Sequence, residues 1–391
     1  MLDERPMAAI LAALGGAEFR RSQLSKTFVA ATIDGGVAAR LGGWTEFSEA
    51  IVSNRLEPPR IRLFLDEQPV PESDYVDVSV NRRNVSFGRV DHQKLEGLLR
   101  RGASLVLDSL EEIQPSVREA ARDLEYFVGE AVQVNAYVTW GEGSGFGAHW
   151  DSHDVVIVQL EGTKKWTIYG QGRIAPMHLD VDHTHDVPGE VVWSGTLERG
   201  DVLHVPRGWW HNVEGTGSET LHLTFGFTRR TGVDALHGLV DQLRRDEEIR
   251  TDVDAFDDDA LAAQTILLRE KLIEAASSLD LGDYLERHRA RLPPAPKLSL
   301  PWSIAESKHA VTEVSLVARA APKLTRIADR IVVDSAGKHF ELALELEPLM
   351  KKLVQHRSLP VDDAIAESGL DPERARRAIE SLTRAGLLAL R

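Results

Sequence analysis

The alternation of apolar and polar positions divides the chain into three textures. Residues 1 to about 100 are mixed: Ile61 to Leu65 predicts a short strand, and Glu67 to Pro71 predicts a turn-rich loop. Asp91 predicts an N-cap for the helix HQKLEGLLRR, closed by Gly102. Ser116 with Glu119 has the spacing of a capping box for a second helix running to about Phe127. From Ala131 to about Thr228 the texture changes to short strand-like runs. The runs VQVNAYVTW, DVVIVQL, KKWTIYG, EVVWSGTL, DVLHVP and LHLTFGF predict short strands. Turns are expected at Glu161–Gly162, at Arg199, Gly200 and Asp201, and at Pro206, Arg207 and Gly208. Short strands separated by glycine turns are the pattern of an antiparallel sandwich or barrel.

Residues 232 to about 290 return to a helical period, broken by the acidic stretch from Asp252 to Asp259. This polar segment suits a solvated bundle or a dimer-forming module. Pro293, Pro294, Pro296 and Pro301 predict a linker. Beyond it the order reads helix, hairpin turning at Gly337, helix, helix, strand. Asp371 and Pro372 open the last helix and Gly386 closes it. That order predicts a winged-helix module.

Composition narrows the function. A length of 391 residues has room for two or three domains, and 42% hydrophobic with 27% charged residues is the balance of a globular protein. Lys and Arg number 46 against 61 Asp and Glu, a net charge of −15. That balance argues against nucleic acid as the main partner and suits a basic one. The absence of cysteine excludes disulfides, thiolate metal sites and cysteine nucleophiles, and leans toward the cytoplasm. The acidic start MLDERPMAAILAALGG lacks the features of a signal peptide. No run of ~18 apolar residues predicts a membrane span, so a soluble cytoplasmic protein is expected.

Eight of the 14 histidines fall between His149 and His222. His149 and Asp151 lie two apart, so on a strand they share a face and can converge on one ion. His211, in DVLHVPRGWWHNVE, follows an expected turn and is the best candidate for a third ligand. Two histidines and one carboxylate leave three open positions, the arrangement of non-haem Fe(II) oxygenases. His153 lies on the same face and stays a rival. His178, His183 and His185 read as solvated loop residues, His204 and His222 as core or pocket-wall residues. Six of the eight tryptophans lie between Trp140 and Trp210; core packing accounts for most, with one of Trp209 and Trp210 a candidate pocket wall.

The segments NAYVTWGEGSGFGAHWDSHDVVIVQLEGTKKWTIY and GDVLHVPRGWWHNV resemble the JmjC-type cupin of the ribosomal oxygenases, which depend on Fe(II) and 2-oxoglutarate. The resemblance extends to the order of the regions and so covers most of the chain. It implies an α+β protein with a double-stranded β-helix core. Residues 1–230 would form the oxygenase domain with an N-terminal α/β extension, 231–292 a helical dimerisation segment, and 300–391 a winged-helix-like domain. It implies His149, Asp151 and His211 as iron ligands and catalytic centre. It implies Lys164, fifteen positions after His149, as the cation for the distal carboxylate of 2-oxoglutarate. Strand alternation puts Lys164 on the face of Trp166 and Lys165 on the other. Asn135 and Tyr137 match positions that hydrogen-bond the cosubstrate, with Thr224 a further hydroxyl nearby. Gly226 departs from the family, which often carries a small hydroxyl residue there.

The implied activity is hydroxylation, with O2, of a His or Arg side chain in a protein or peptide, typically a ribosomal protein. A Lys at the cosubstrate position resembles the histidyl branch. A basic substrate and a homodimer follow from the same resemblance. Two other classes compete. One is a DNA-binding regulator using Arg374, Arg376, Arg377 and Arg384, among which Glu373 and Glu380 interleave. The other is a metal cupin that does not use 2-oxoglutarate.

Overall fold

The computed structural model describes residues 5–144, 146–177, 188–304 and 309–391. The chain divides into two compact units, Met1–Thr228 and Arg229–Arg391.

The short strand-like runs of the first unit build one ten-stranded sheet with antiparallel pairing. Along it follow Val29–Thr32, Asp201–Val205, Asp154–Gln171, Trp209–Phe227, Val132–Thr139, Ser104–Leu107, Ile61–Leu65 and Gln68–Pro69. Trp193–Leu197 pairs with Asp154–Gln171, and Glu142–Ser144 with Trp209–Phe227. The loop expected from Glu67 to Pro71 therefore contains a strand, Gln68–Pro69, folded back on Ile61–Leu65.

Asp154–Gln171 and Trp209–Phe227 pair from one end to the other. The turn expected at Glu161–Gly162 does not form; the strand runs through it. Gly162 has φ +61°, and a Cβ there would lie 1.8 Å from the Glu219 carbonyl oxygen. The glycine thus marks an irregularity where two backbones touch, which in sequence looks like a turn. Turns do form at Gly200 (φ +93°) and Gly208 (φ +76°).

Both faces of Asp154–Gln171 are buried. Val156, Val158 and Leu160 join Val134, Ala136, Leu221, Leu223 and Phe225 in the large core. The helices Pro6–Leu14 and Pro115–Val128 cover that core with Met7, Ile10, Leu14, Val117, Ala121 and Leu124. Each large aliphatic side chain so enclosed stabilises by about 1.5–3 kcal/mol. Val155, Ile157, Trp166 and Ile168 point the other way, into a smaller cluster with Leu197, Leu203 and Val205.

Asp91 caps the helix His92–Arg100 by accepting from the amides of Gln93 and Lys94. Ser116 makes no capping box. Its helix begins at Pro115 after Gln114, and the Ser116 hydroxyl instead donates to the Leu41 carbonyl at 3.0 Å. Proline at the first helical position has already removed one of the amides a cap would serve.

The second unit opens with the helices Gly232–Leu243, Asp258–Ser277 and Leu281–Arg291. Asp257, within the acidic stretch, caps the second of these, and no residue of that helix is buried. The proline-rich segment is not a free linker. Leu292, Ala295 and Ser299 are buried, and the Ser299 hydroxyl accepts from the Leu390 amide at 2.9 Å. The helix expected next is absent among the described residues. Its place is taken by Glu313–Leu316, which pairs on both sides, with Ser358–Pro360 and Leu388–Leu390. The run EVSL is short and alternating, so sheet partners decide its state. A second sheet joins Leu324–Ile327, Arg330–Ser335 and Lys338–Ala343. The helices Glu347–His356, Val361–Glu367 and Pro372–Ala385 pack with these strands around Val314, Leu316, Leu349, Leu353 and Ile379. No helix among the described residues is long and apolar enough to cross a membrane.

Candidate active site

The site begins as a backbone contact. His149 and His211 face each other across an antiparallel bridge, with N–H to O distances of 3.0 and 2.8 Å. Their rings lie 4.4 Å apart between centroids. Nδ1 of His149 faces the Gly147 carbonyl at 3.0 Å, and Nδ1 of His211 faces the Trp209 carbonyl at 3.1 Å. A ring nitrogen facing a carbonyl carries the proton, so each imidazole keeps Nε2 as its lone-pair donor. Asp151 brings Oδ2 to 3.7 Å from Nε2 of His211. The Gly208 amide holds the Asp151 carbonyl at 2.8 Å. Ligand-type atoms of His149, Asp151 and His211 all lie within 4.8 Å of one another. Burial, with His149 alongside, lowers the His211 pKa to about 4, which keeps the ring neutral as a metal ligand requires. This donor set fits a divalent ion of the Fe(II) type.

His153 is not in that group. Its ring lies against Gly226, where a Cβ would sit 2.9 Å from Cδ2 and 3.1 Å from Nε2. The bare glycine is what makes room for the imidazole.

The wall beside the three residues comes from alternate positions on neighbouring strands. Lys164 shares its face with Trp166 and is 7% exposed, while Lys165 faces outward and pairs with Glu214 at 3.0 Å. Among the described residues no carboxylate pairs with Lys164, and burial lowers its pKa to about 8. Tyr137 stacks on His222 at 4.9 Å, and burial followed by the Asp151 charge raises its hydroxyl to about 12. Asn135 lies opposite Thr224 and accepts from the Ser109 amide at 3.2 Å. Thr224, two positions from His222, is half-buried. His222 is pushed well below its usual pKa by burial and then by Lys164. Among the described residues, Nδ1 of His222 and Nε1 of Trp166 are buried without a hydrogen-bond partner.

His204 is a satisfied core residue: Nδ1 faces the Val155 carbonyl at 3.0 Å and Nε2 accepts from the Ser25 amide at 3.2 Å. Trp210 is buried; Trp209 packs near Phe28 and contributes its carbonyl to His211. His178, His183 and His185 lie outside the described residues. Sequence reasoning missed the carbonyls of Gly147 and Trp209, since main-chain groups leave no residue signal. It also missed Phe146, whose ring lies 6.1 Å from His149.

Residues 111–235 match the family model of the JmjC domain. Ribosomal oxygenase 1 of Bos taurus is 33% identical over 149 residues, covering 37% of this chain and 22% of the relative. The bifunctional lysine-specific demethylase and histidyl-hydroxylase NO66 of Drosophila persimilis is 25% identical over 223 residues, covering 56% of this chain and 31% of the relative. The chain thus spans under a third of the length of these curated relatives. The crystal structure of E. coli ycfD superposes with a TM-score of 0.57 at 15% identity, over 96% of this chain and 97% of that one. YcfD, described as a ribosomal oxygenase, has also been solved with cobalt and 2-oxoglutarate; that structure matches at a TM-score of 0.54 and 15% identity, over 96% of this chain and 98% of its own. The likeness to YcfD is one of fold.

Proposed function

We propose that the chain is an Fe(II)- and 2-oxoglutarate-dependent oxygenase that hydroxylates a side chain of a protein or peptide. The observation that carries this reading is Lys164, a buried ammonium with no carboxylate paired to it among the described residues, on the wall beside His149, Asp151 and His211. Leaving a buried charge uncompensated is costly, and a dicarboxylate reaching from the ion supplies the missing partner. The oxygenase and hydroxylase names of the relatives support the same reading.

Nε2 of both histidines and the Asp151 carboxylate would hold the iron, and Lys164 the far carboxylate of 2-oxoglutarate. Tyr137, Asn135 and Thr224 offer hydrogen bonds along the cosubstrate. When bound, iron and 2-oxoglutarate supply the oxidising chemistry that, with O2, converts an unactivated C–H to an alcohol. The chain contributes position and dryness: Trp166 and His222 enclose the site, and the two carbonyls fix the imidazole planes.

The finer reading is a histidine or arginine of a basic ribosomal protein as target, with Lys at position 164 favouring histidine. Residues 1–230 are read as the oxygenase domain, 231–292 as a dimerisation segment and 300–391 as winged-helix-like, in a cytoplasmic homodimer. Exposed Leu261, Leu268 and Leu272 on the unburied helix Asp258–Ser277 support the dimer. The three helices and short sheet of the last region support the winged helix. Its last helix is a poor DNA reader, because Arg374 is engaged by Glu345 and Asp371, and Arg377 by Glu373.

Anaerobic titration of the apo-protein with Fe(II) and 2-oxoglutarate tests the core of this reading. A weak visible charge-transfer band is expected, and its loss in Lys164→Ala at the same ligand concentration. Iron binding without a band at any 2-oxoglutarate concentration would assign the chain to the metal cupins that use no 2-oxoglutarate.

A further inference from the structure

We propose that Glu67 recognises a cationic side chain of the substrate beside the reacting residue, an inference that rests on the hydroxylase reading. Glu67 lies in the tight turn between Ile61–Leu65 and Gln68–Pro69. A Cβ placed on Gly147 would lie 3.4 Å from both its carboxylate oxygens, so the carboxylate lies against the Gly147 backbone. The carbonyl of that same Gly147 faces Nδ1 of His149. An exposed carboxylate therefore lies near the three-residue group without belonging to it.

The surface between Glu67 and the group is aromatic. Phe146, 39% exposed, lies 4.5 Å from Phe64, 6.1 Å from His149 and 6.2 Å from Tyr137, measured between ring centroids. A carboxylate beside aromatic rings is the combination that binds a guanidinium or an ammonium, by charge and by the ring quadrupole together. The cation already on this wall does not fill that role. Arg62 lies 5.7 Å from the Phe64 ring but is clasped through Nε and a terminal nitrogen by Asp108 at 2.8 and 3.0 Å. No cation pairs with Glu67 among the described residues. The net charge of −15 favours encounter with a basic segment in general.

The test uses the full chain loaded with Mn(II) and 2-oxoglutarate. Three probes are compared by ligand-observed NMR: the Nα-acetyl methylamides of arginine, of lysine, and of citrulline as the neutral isostere. Broadening of probe protons by Mn(II) reports closeness to the metal. Arginine or lysine is expected to bind and broaden and citrulline not to, which also distinguishes guanidinium from ammonium. Glu67→Gln is expected to weaken the cationic probe about two- to five-fold, the range for a solvent-exposed ion pair, with Mn(II) and 2-oxoglutarate affinities retained. Equal binding of citrulline, no binding of either cation, or an unchanged Glu67→Gln would overturn the assignment. Loss of Mn(II) affinity in Glu67→Gln would also overturn it, since Glu67 would then act on His149 through Gly147. Failure of the wild-type chain to bind Mn(II) and 2-oxoglutarate would instead remove the hydroxylase reading beneath it.

Discussion

Burial lowers Lys164 to about 8 from an ordinary 10.5, which corresponds to a penalty of roughly 3 kcal/mol on the charged form. Below pH 8 both folded and unfolded chains carry the proton and the penalty is present in full. Between pH 8 and about 10.5 only the unfolded chain keeps it, so this residue makes stability rise with pH across that window. Lys164→Met is therefore expected to stabilise the ligand-free chain at pH 7 by up to about 3 kcal/mol in urea denaturation, while removing 2-oxoglutarate binding. A loss of stability would show that the charge is already compensated. Cosubstrate affinity is expected to move in the opposite sense, falling above pH 8 as the ammonium deprotonates; titrations at pH 7 and 9 compare the two. At this scale the orientation of Lys164 was readable from strand alternation with Trp166. The seat of His153 was not, because it depends on the space left by Gly226, seventy-three positions away.

Elements were readable where alternation is local and misread where glycine has two uses. Val132–Thr139 follows from its apolar alternation, and Asp201–Val205 from a short apolar run between turn residues. Asp154–Gln171 looked like two strands, because a glycine at a strand irregularity and a glycine in a turn carry the same letter. Gly208 shows what such a position does for the site. It has φ +76°, a Cβ there would lie 2.1 Å from the Arg173 carbonyl oxygen, and its amide holds the Asp151 carbonyl. Gly208→Ala is expected to cost about 1–3 kcal/mol of stability from strain, and to weaken Mn(II) binding by loosening Asp151. Thermal melts with and without Mn(II) measure both; an unchanged Mn(II)-induced rise in Tm would separate the turn from the site.

For the whole molecule, the apolar residues left uncovered matter most. Leu261, Leu268 and Leu272 are each at least 39% exposed and recur at spacings of seven and four, one stripe of the helix Asp258–Ser277. Covering that stripe with a second copy would remove it from water. Leu268→Glu with Leu272→Glu is expected to give a monomer in sedimentation equilibrium where the parent chain gives a dimer. A monomeric parent would leave the helix without this role. The change from sheet-rich to helical texture near Thr228, where the second unit begins, was visible in the sequence. The packing of the proline segment against Val317 and Leu390 was not, since prolines read as linker whether or not their neighbours are buried.

The pairing of Asp154–Gln171 with Trp209–Phe227 also sets an order of events in time. His149 and His211 are sixty-two positions apart and meet where that pairing ends. Their loop must close before the two imidazoles can face one ion, and closure of this kind is slow in sheet proteins. If those contacts form after the folding transition state, a metal ion bound by the finished site retards unfolding without hastening folding. Loaded protein gains its lifetime from a slower exit, and newly made chain gains no speed from the metal it will later hold.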